Sequence, residues 1–130
     1  MKILYSPGFG AGWSSWCSGD REQQKFMLSY LPLIGAIENG MDIGFDESRP
    51  YADQQPYRPG SVLEQFAIDF KKRFDERPYL GGARDLDVTE VTEPFRIHEY
   101  DGSESVEIRD RIGWFDPDTD FIDPDEEDFE

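Results

Sequence analysis

A chain of 130 residues suits one domain, and this chain carries a formal charge of −16 from 29 acidic and 13 basic side chains. DNA and anionic membranes repel such a chain, which argues against direct binding to either. One cysteine excludes an internal disulfide, and one cysteine with one histidine cannot supply the usual zinc ligands. The chain has no signal-peptide pattern after Met1 and no apolar run of roughly 18 residues, so we expect a cytoplasmic protein.

The chain begins with a short predicted strand, Lys2 to Tyr5, followed by the loop Gly8-Phe-Gly-Ala-Gly-Trp-Ser-Ser-Trp16. Glycine lets backbone N–H groups approach a phosphate, and tryptophan offers a stacking face, so the loop could hold a phosphorylated nucleotide. The alternative is a strand-to-helix connection whose tryptophans cap the core. The ligand hypothesis also includes a basic cluster from a later helix. The predicted ligand-binding residues are Gly8, Gly10, Gly12, Trp13, Trp16, Lys71, Lys72 and Arg73.

Two helical regions are predicted, each introduced by a side chain that can cap the first turn. Asp20 begins the first region, which Pro32 interrupts, so we expect a kink or two helices that meet near this proline. Ser61 with Glu64 begins the second helix, which ends before Pro78. One face of this second helix is apolar and consists of Leu63, Phe66, Ala67, Phe70 and Phe74.

The clearest local pattern is a β-hairpin. Asp101-Gly102 suits a two-residue type I′ turn, and this turn places Phe95 opposite Ile108 on an apolar face. The same register places Glu99 opposite Glu104, and like charges in that position are destabilising. Either the two carboxylates share a proton or a hard cation, or both point into water.

These elements predict an α+β fold. Leu86 and Val88 alternate with polar residues and indicate a strand before the hairpin. We expect an antiparallel three- to four-stranded sheet with two main helices on one face, spanning residues 1–115.

Residues 116–130 form an acidic tail without Lys or Arg, which we expect to be flexible. Alternating aspartates resemble the start of a calcium loop, although Phe121 stands where that loop needs glycine. We interpret the tail as a segment that binds a basic partner through Asp116, Asp118, Asp120, Phe121, Asp123, Asp125, Glu126, Glu127, Asp128 and Phe129.

The sequence contains the residue types of a hydrolytic site but no motif that would bring them together. Ser105, His98 and Asp101 supply the residue types of a Ser–His–Asp triad, but no nucleophile-elbow motif accompanies them. We therefore assign no catalytic residue, cofactor or metal, and a hydrolase around His98 ranks third among the functional hypotheses.

Two stretches, Ile3 to Trp13 and Pro94 to Arg109, resemble small phage- and prophage-encoded accessory proteins. The resemblance implies a viral accessory role such as counter-defence, in the cytoplasm of a host cell. The leading prediction is therefore a non-enzymatic acidic binding protein, a phage-type inhibitor of a host defence or nucleic-acid-binding protein. The alternative is a binder that sequesters a phosphorylated nucleotide through residues Gly8–Trp16.

Overall fold

The computed structural model of the protein describes residues 1–8, 12–17, 20–46, 48, 56–108, 115–117 and 121. Within these residues the fold is α+β, as predicted, with three α-helices and four strands arranged in two separate antiparallel sheets. None of the helices in these ranges is both long and apolar enough to cross a membrane.

The predicted helices form with the predicted caps. Helix α1 (Arg21–Ser29) begins after Asp20, whose side chain accepts a hydrogen bond from the backbone N–H of Gln23. Helix α2 (Leu31–Glu38) has Pro32 in its first turn, where a missing N–H group breaks no helical bond, so the proline divides the region into two helices. Helix α3 (Val62–Phe74) begins after Ser61, whose side chain accepts a hydrogen bond from the N–H of Glu64.

The larger apolar cluster lies between α3, α1 and the glycine loop. The rings of Trp13 and Phe66 are 5.0 Å apart, and Phe26 on α1 meets Phe70 and Phe74 edge-on at 5.7 and 5.6 Å. Each well-packed aromatic pair adds roughly 0.5–1.5 kcal/mol beyond its burial. The predicted apolar face of α3 is therefore the centre of the core.

The prediction of one three- to four-stranded sheet is wrong. Strand β1 (Lys2–Tyr5) pairs only with β2 (Asp87–Glu90), and β3 (Phe95–Tyr100) pairs with β4 (Ser103–Ile108), within the described part of the chain. After β2 the chain continues along β1, because the N–H of Val91 donates to the carbonyl of Met1 at 2.7 Å. Phe115 takes the other edge of β3, where it exchanges two 2.8 Å backbone hydrogen bonds with Phe95. At Phe95 this pairing occupies the strand edge that β2 would need in a single sheet.

The hairpin register is confirmed. Phe95 faces Ile108, and Glu99 faces Glu104. Asp101 and Gly102 have φ angles of 51° and 83°, both in the left-handed region that a type I′ turn requires.

A second apolar cluster is built around β3 and includes Phe95 and Phe115. The ring of Phe121 stacks on Phe95 with a centroid distance of 6.1 Å and an interplanar angle of 14°. The guanidinium of Arg21 lies 4.2 Å from the centroid of the Phe115 ring. Phe121 lies beyond the predicted domain boundary at residue 115, so intramolecular packing continues past that boundary.

Candidate functional site

The fold brings the glycine loop and the hairpin together around the side chain of Glu104. One carboxylate oxygen, Oε1, accepts a hydrogen bond from the backbone N–H of Ser6 at 2.8 Å. The other oxygen, Oε2, accepts the N–H groups of Trp13 at 2.8 Å and Ser15 at 3.0 Å, together with the Ser15 hydroxyl. Two stretches that the sequence singled out separately therefore meet in one polar site.

Glu104 is the one buried carboxylate among the described residues, with 2% of its surface exposed. A buried charge is costly unless it is hydrogen-bonded, and each bond to a charged group contributes about 1.5–3 kcal/mol. Three backbone N–H groups and one hydroxyl supply that compensation here. The N–H of Glu104 also donates to the carbonyl of Ser6 at 2.7 Å, so the contact joins β4 to the end of β1.

Glu99, the other member of the facing carboxylate pair, has a separate donor. The indole N–H of Trp16 donates to Glu99 Oε1 at 2.8 Å, and the Trp16 ring lies 5.7 Å from the ring of Tyr79. The two carboxylates are thus held by different donors from the same loop. The described residues contain no group of three metal-binding side chains that could place a cation between them.

The glycines of the loop allow close packing. A Cβ atom at Gly12 would lie 2.6 Å from Cδ1 of Trp16, and a Cβ atom at Gly82 would overlap the carbonyl oxygen of Gly12. A side chain at Gly8 would collide with the carboxylate of Asp85. Gly10, the remaining loop glycine of the ligand hypothesis, lies outside the described residues. Close packing therefore accounts for Gly12, whereas the atoms next to Gly8 belong to the exposed side chain of Asp85.

The two tryptophans of the loop have different environments. Trp13 is fully buried, and its indole N–H donates to the carbonyl of Met27 at 2.7 Å. Its ring belongs to the core and presents no stacking face to a ligand. Trp16 remains 37% exposed.

The basic cluster lies on the last turn of α3, where Lys71, Lys72 and Arg73 are exposed. The ammonium of Lys71 pairs with Asp75 at 3.0 Å. The guanidinium of Arg73 lies 5.6 Å from the ring centroid of Phe74 and 5.9 Å from that of Phe26. Lys71 and Arg73 therefore have partners on α3, its C-terminal cap and α1, whereas the backbone donors of the loop are directed at Glu104.

His98 lies on the exposed face of the hairpin. Its Nδ1 atom is 3.6 Å from Glu107 Oε1, and Arg96 Nε pairs with the same carboxylate at 3.0 Å. Ser105 stands opposite His98 in the strand register, while Asp101 is in the turn. The grouping around His98 is thus an exposed polar network centred on Glu107.

Of the predicted partner-binding residues, the structure describes two. Asp116 is half-buried, and Phe121 packs on the second apolar cluster. The others lie outside the described residues: Asp118, Asp120, Asp123, Asp125, Glu126, Glu127, Asp128 and Phe129.

Sequence reasoning did not identify Ser6 and Ser15 as part of the site. The available signal was the like-charge pair of Glu99 and Glu104 beside a strongly specified turn. An acidic residue on the apolar face of a hairpin needs donors from elsewhere in the chain, and a glycine-rich loop exposes backbone N–H groups. Together, the two observations indicate that the loop and the hairpin meet at this carboxylate.

Comparison of the chain with models of protein families, with curated proteins and with solved structures gave no match.

Proposed function

We propose that this protein is a non-enzymatic acidic binding protein that presents carboxylates to a basic protein partner. The observation that carries the proposal is the formal charge of −16 on a chain of 130 residues. The body of the protein, like the tail, contributes carboxylates to this negative charge. Its exposed carboxylates include Asp20, Glu22, Glu38, Asp42, Asp75, Glu76, Asp85, Asp87, Glu90, Glu93 and Asp101.

Several positive charges of the body are neutralised within the chain. Six basic side chains form ion pairs: Lys2–Glu38, Lys25–Glu22, Arg58–Asp42, Lys71–Asp75, Arg84–Asp85 and Arg96–Glu107. These pairs reduce the attraction of the surface for an anion. The carboxylates in excess of these pairs give the protein a negative electrostatic potential. Such a field raises association rates with a basic partner by about 10–10³-fold at low salt.

The partner class follows from the resemblance to phage accessory proteins. We propose a phage-type inhibitor that acts in a host cell and blocks a host defence protein or nucleic-acid-binding protein. Proteins that bind nucleic acid carry the basic surfaces to which an acidic chain is attracted. The tail aromatics Phe121 and Phe129 add apolar contacts with the partner in this proposal, and Phe121 also packs on Phe95 and Phe115 within the chain.

The nucleotide alternative remains a prediction with an added requirement. A phosphate could use the N–H groups of Trp13 and Ser15 only if it displaced Glu104, which already binds both. The alternative predicts that nucleotides change the fluorescence of Trp16 and raise the melting temperature. The hydrolase around His98 predicts loss of the biological effect in a His98→Ala variant.

The experiment is an equilibrium binding panel in which the full chain meets purified basic and acidic host proteins of similar size, at low and high salt. The proposal predicts binding to members of the basic set that weakens steeply as salt is raised. It also predicts no response to nucleotides in the same assay. Binding to no basic protein, or a nucleotide-dependent shift without protein binding, would reject it.

A further inference from the structure

The donors around Glu104 come from two parts of the chain that are distant from it in sequence. Ser6 follows strand β1, whereas Trp13 and Ser15 belong to the glycine loop, and Glu104 is in β4, more than 85 residues away from either. These groups converge on both oxygens of one carboxylate in a buried position. This is the geometry by which proteins bind free anions, with backbone N–H groups directed at negative oxygen atoms.

The donor groups are held in place by contacts that do not involve the carboxylate. The buried indole of Trp13 is anchored to the carbonyl of Met27. Gly12 is in close contact with Gly82, where a Cβ atom could not be accommodated. Ser6 directly follows Tyr5, which is paired with Asp87 of β2. The site is therefore preorganised by the core and by the first sheet.

We propose that Ser6, Trp13 and Ser15 form a carboxylate-binding site whose resident ligand is the side chain of Glu104. Truncating the Glu104 side chain beyond Cβ leaves a site for a free small monocarboxylate. A Glu→Ala substitution deletes Cγ and the carboxyl group, and these atoms correspond to one molecule of acetate. The buried position excludes larger anions, so the site selects acetate over longer acids and over nucleotides.

The contact also has a consequence for the exposed surface. The loop that binds Glu104 carries Trp16, whose indole is bonded to Glu99 on the facing strand. By binding the loop, Glu104 fixes it to the hairpin and sets the position of the exposed Trp16 ring. This role does not depend on the partner proposed above.

The test compares Glu104→Ala with Glu107→Ala, a matched control on the same strand whose carboxylate belongs to the exposed face. Thermal unfolding and tryptophan fluorescence are followed while acetate replaces chloride at constant ionic strength. We expect a lower melting temperature for Glu104→Ala and a saturable recovery with acetate, half-maximal on the order of 10 mM for a ligand of four heavy atoms. The parent chain and Glu107→Ala are expected not to show this recovery, and butyrate is expected not to replace acetate.

A Glu104→Gln variant provides the filled-site control. Its amide replaces one acceptor oxygen by an NH2 donor, so the melting temperature of Glu104→Gln should fall. Because the amide fills the same volume, acetate should not restore the melting temperature. An acetate response of Glu104→Ala no larger than that of Glu107→Ala, or an equal response in Glu104→Gln, overturns the proposal. If Glu104→Ala does not fold in chloride, far-ultraviolet circular dichroism measures whether acetate restores the fold. Restoration by acetate but not by butyrate supports the site, and failure of both anions overturns it.

Discussion

The side chain of Glu104 has a role that its position in the hairpin pattern does not reveal. In the register it is one of two facing carboxylates, an unfavourable cross-strand pair. In the fold it is buried and receives four hydrogen bonds, while Glu99 receives the indole of Trp16. The repulsion is offset because donors from the glycine loop bind each carboxylate separately. A local pattern can therefore expose such a conflict, but the residues that resolve it come from elsewhere in the chain.

Gly102 tests the turn at the end of this hairpin. Its φ of 83° is strongly unfavourable for a β-branched residue. We expect Gly102→Val to lower the free energy of unfolding by at least about 1–2 kcal/mol, measured by urea titration. Asp101→Gly is the matched control, since glycine adopts the φ of 51° at that position readily. Equal stability of Gly102→Val and the parent would contradict the type I′ turn.

Tyr30 gives the fold a sensitivity to alkaline pH. Its hydroxyl donates to Asp69 Oδ2 at 2.6 Å, and burial, reinforced by this bond and by the charge of Asp69, raises the pKa of Tyr30 far above its ordinary value of 10.0. Because the folded pKa is raised, the stabilisation is fully present below pH 10 and is lost as pH rises through the folded pKa.

Urea unfolding between pH 7 and pH 11 measures this effect. We expect Tyr30→Phe to be less stable than the parent by about 1 kcal/mol at pH 7 and to lose less stability above pH 10. Tyr100→Phe, in which the replaced ring is 73% exposed, is the control and should follow the parent. Parallel pH profiles for Tyr30→Phe and the parent would exclude Tyr30 as a source of the alkaline loss.

At the level of elements, local signals predicted more than the arrangement of strands did. Helix caps at Asp20 and Ser61 and the turn at Asp101-Gly102 depend on residues a few positions apart, and each was readable from the sequence. The division into two sheets depends on Met1 and Phe115, which pair with Val91 and Phe95. Such pairings are set by three-dimensional packing and leave no periodic pattern. The Glu104 site escaped prediction for the same reason.

Phe121 packs against the second apolar cluster although it lies beyond residue 115. Its ring lies against Phe95 and Phe115 at 6.1 and 6.0 Å. We expect Phe121→Ala to lower the free energy of unfolding by about 1–2 kcal/mol, since a half-buried ring contributes less than full burial would. A chain that ends after Phe121 should keep the melting temperature of the parent, whereas one that ends after Phe115 should melt earlier. Identical melting temperatures for both truncated chains would assign no stabilising role to Phe121.

For the whole molecule, the charge distribution governs the proposed function. Several basic side chains of the body form ion pairs, and residues 122–130 add carboxylates without any compensating Lys or Arg. Charges of one sign act over about 10 Å at 0.1 M salt, so their effect on a partner is exerted before contact and appears in the association rate. The apolar clusters and the Glu104 site stabilise the fold on whose surface these charged side chains lie.

The most direct measurement is the association rate to the strongest binder of the basic panel, for the full chain and for a chain that ends after Phe121. We expect the truncated chain to associate about tenfold or more slowly at low salt, with an unchanged melting temperature. Added salt should bring the full chain down to the rate of the truncated one. Equal association rates at low salt, with both chains folded, would contradict the claim that residues 122–130 attract the basic partner.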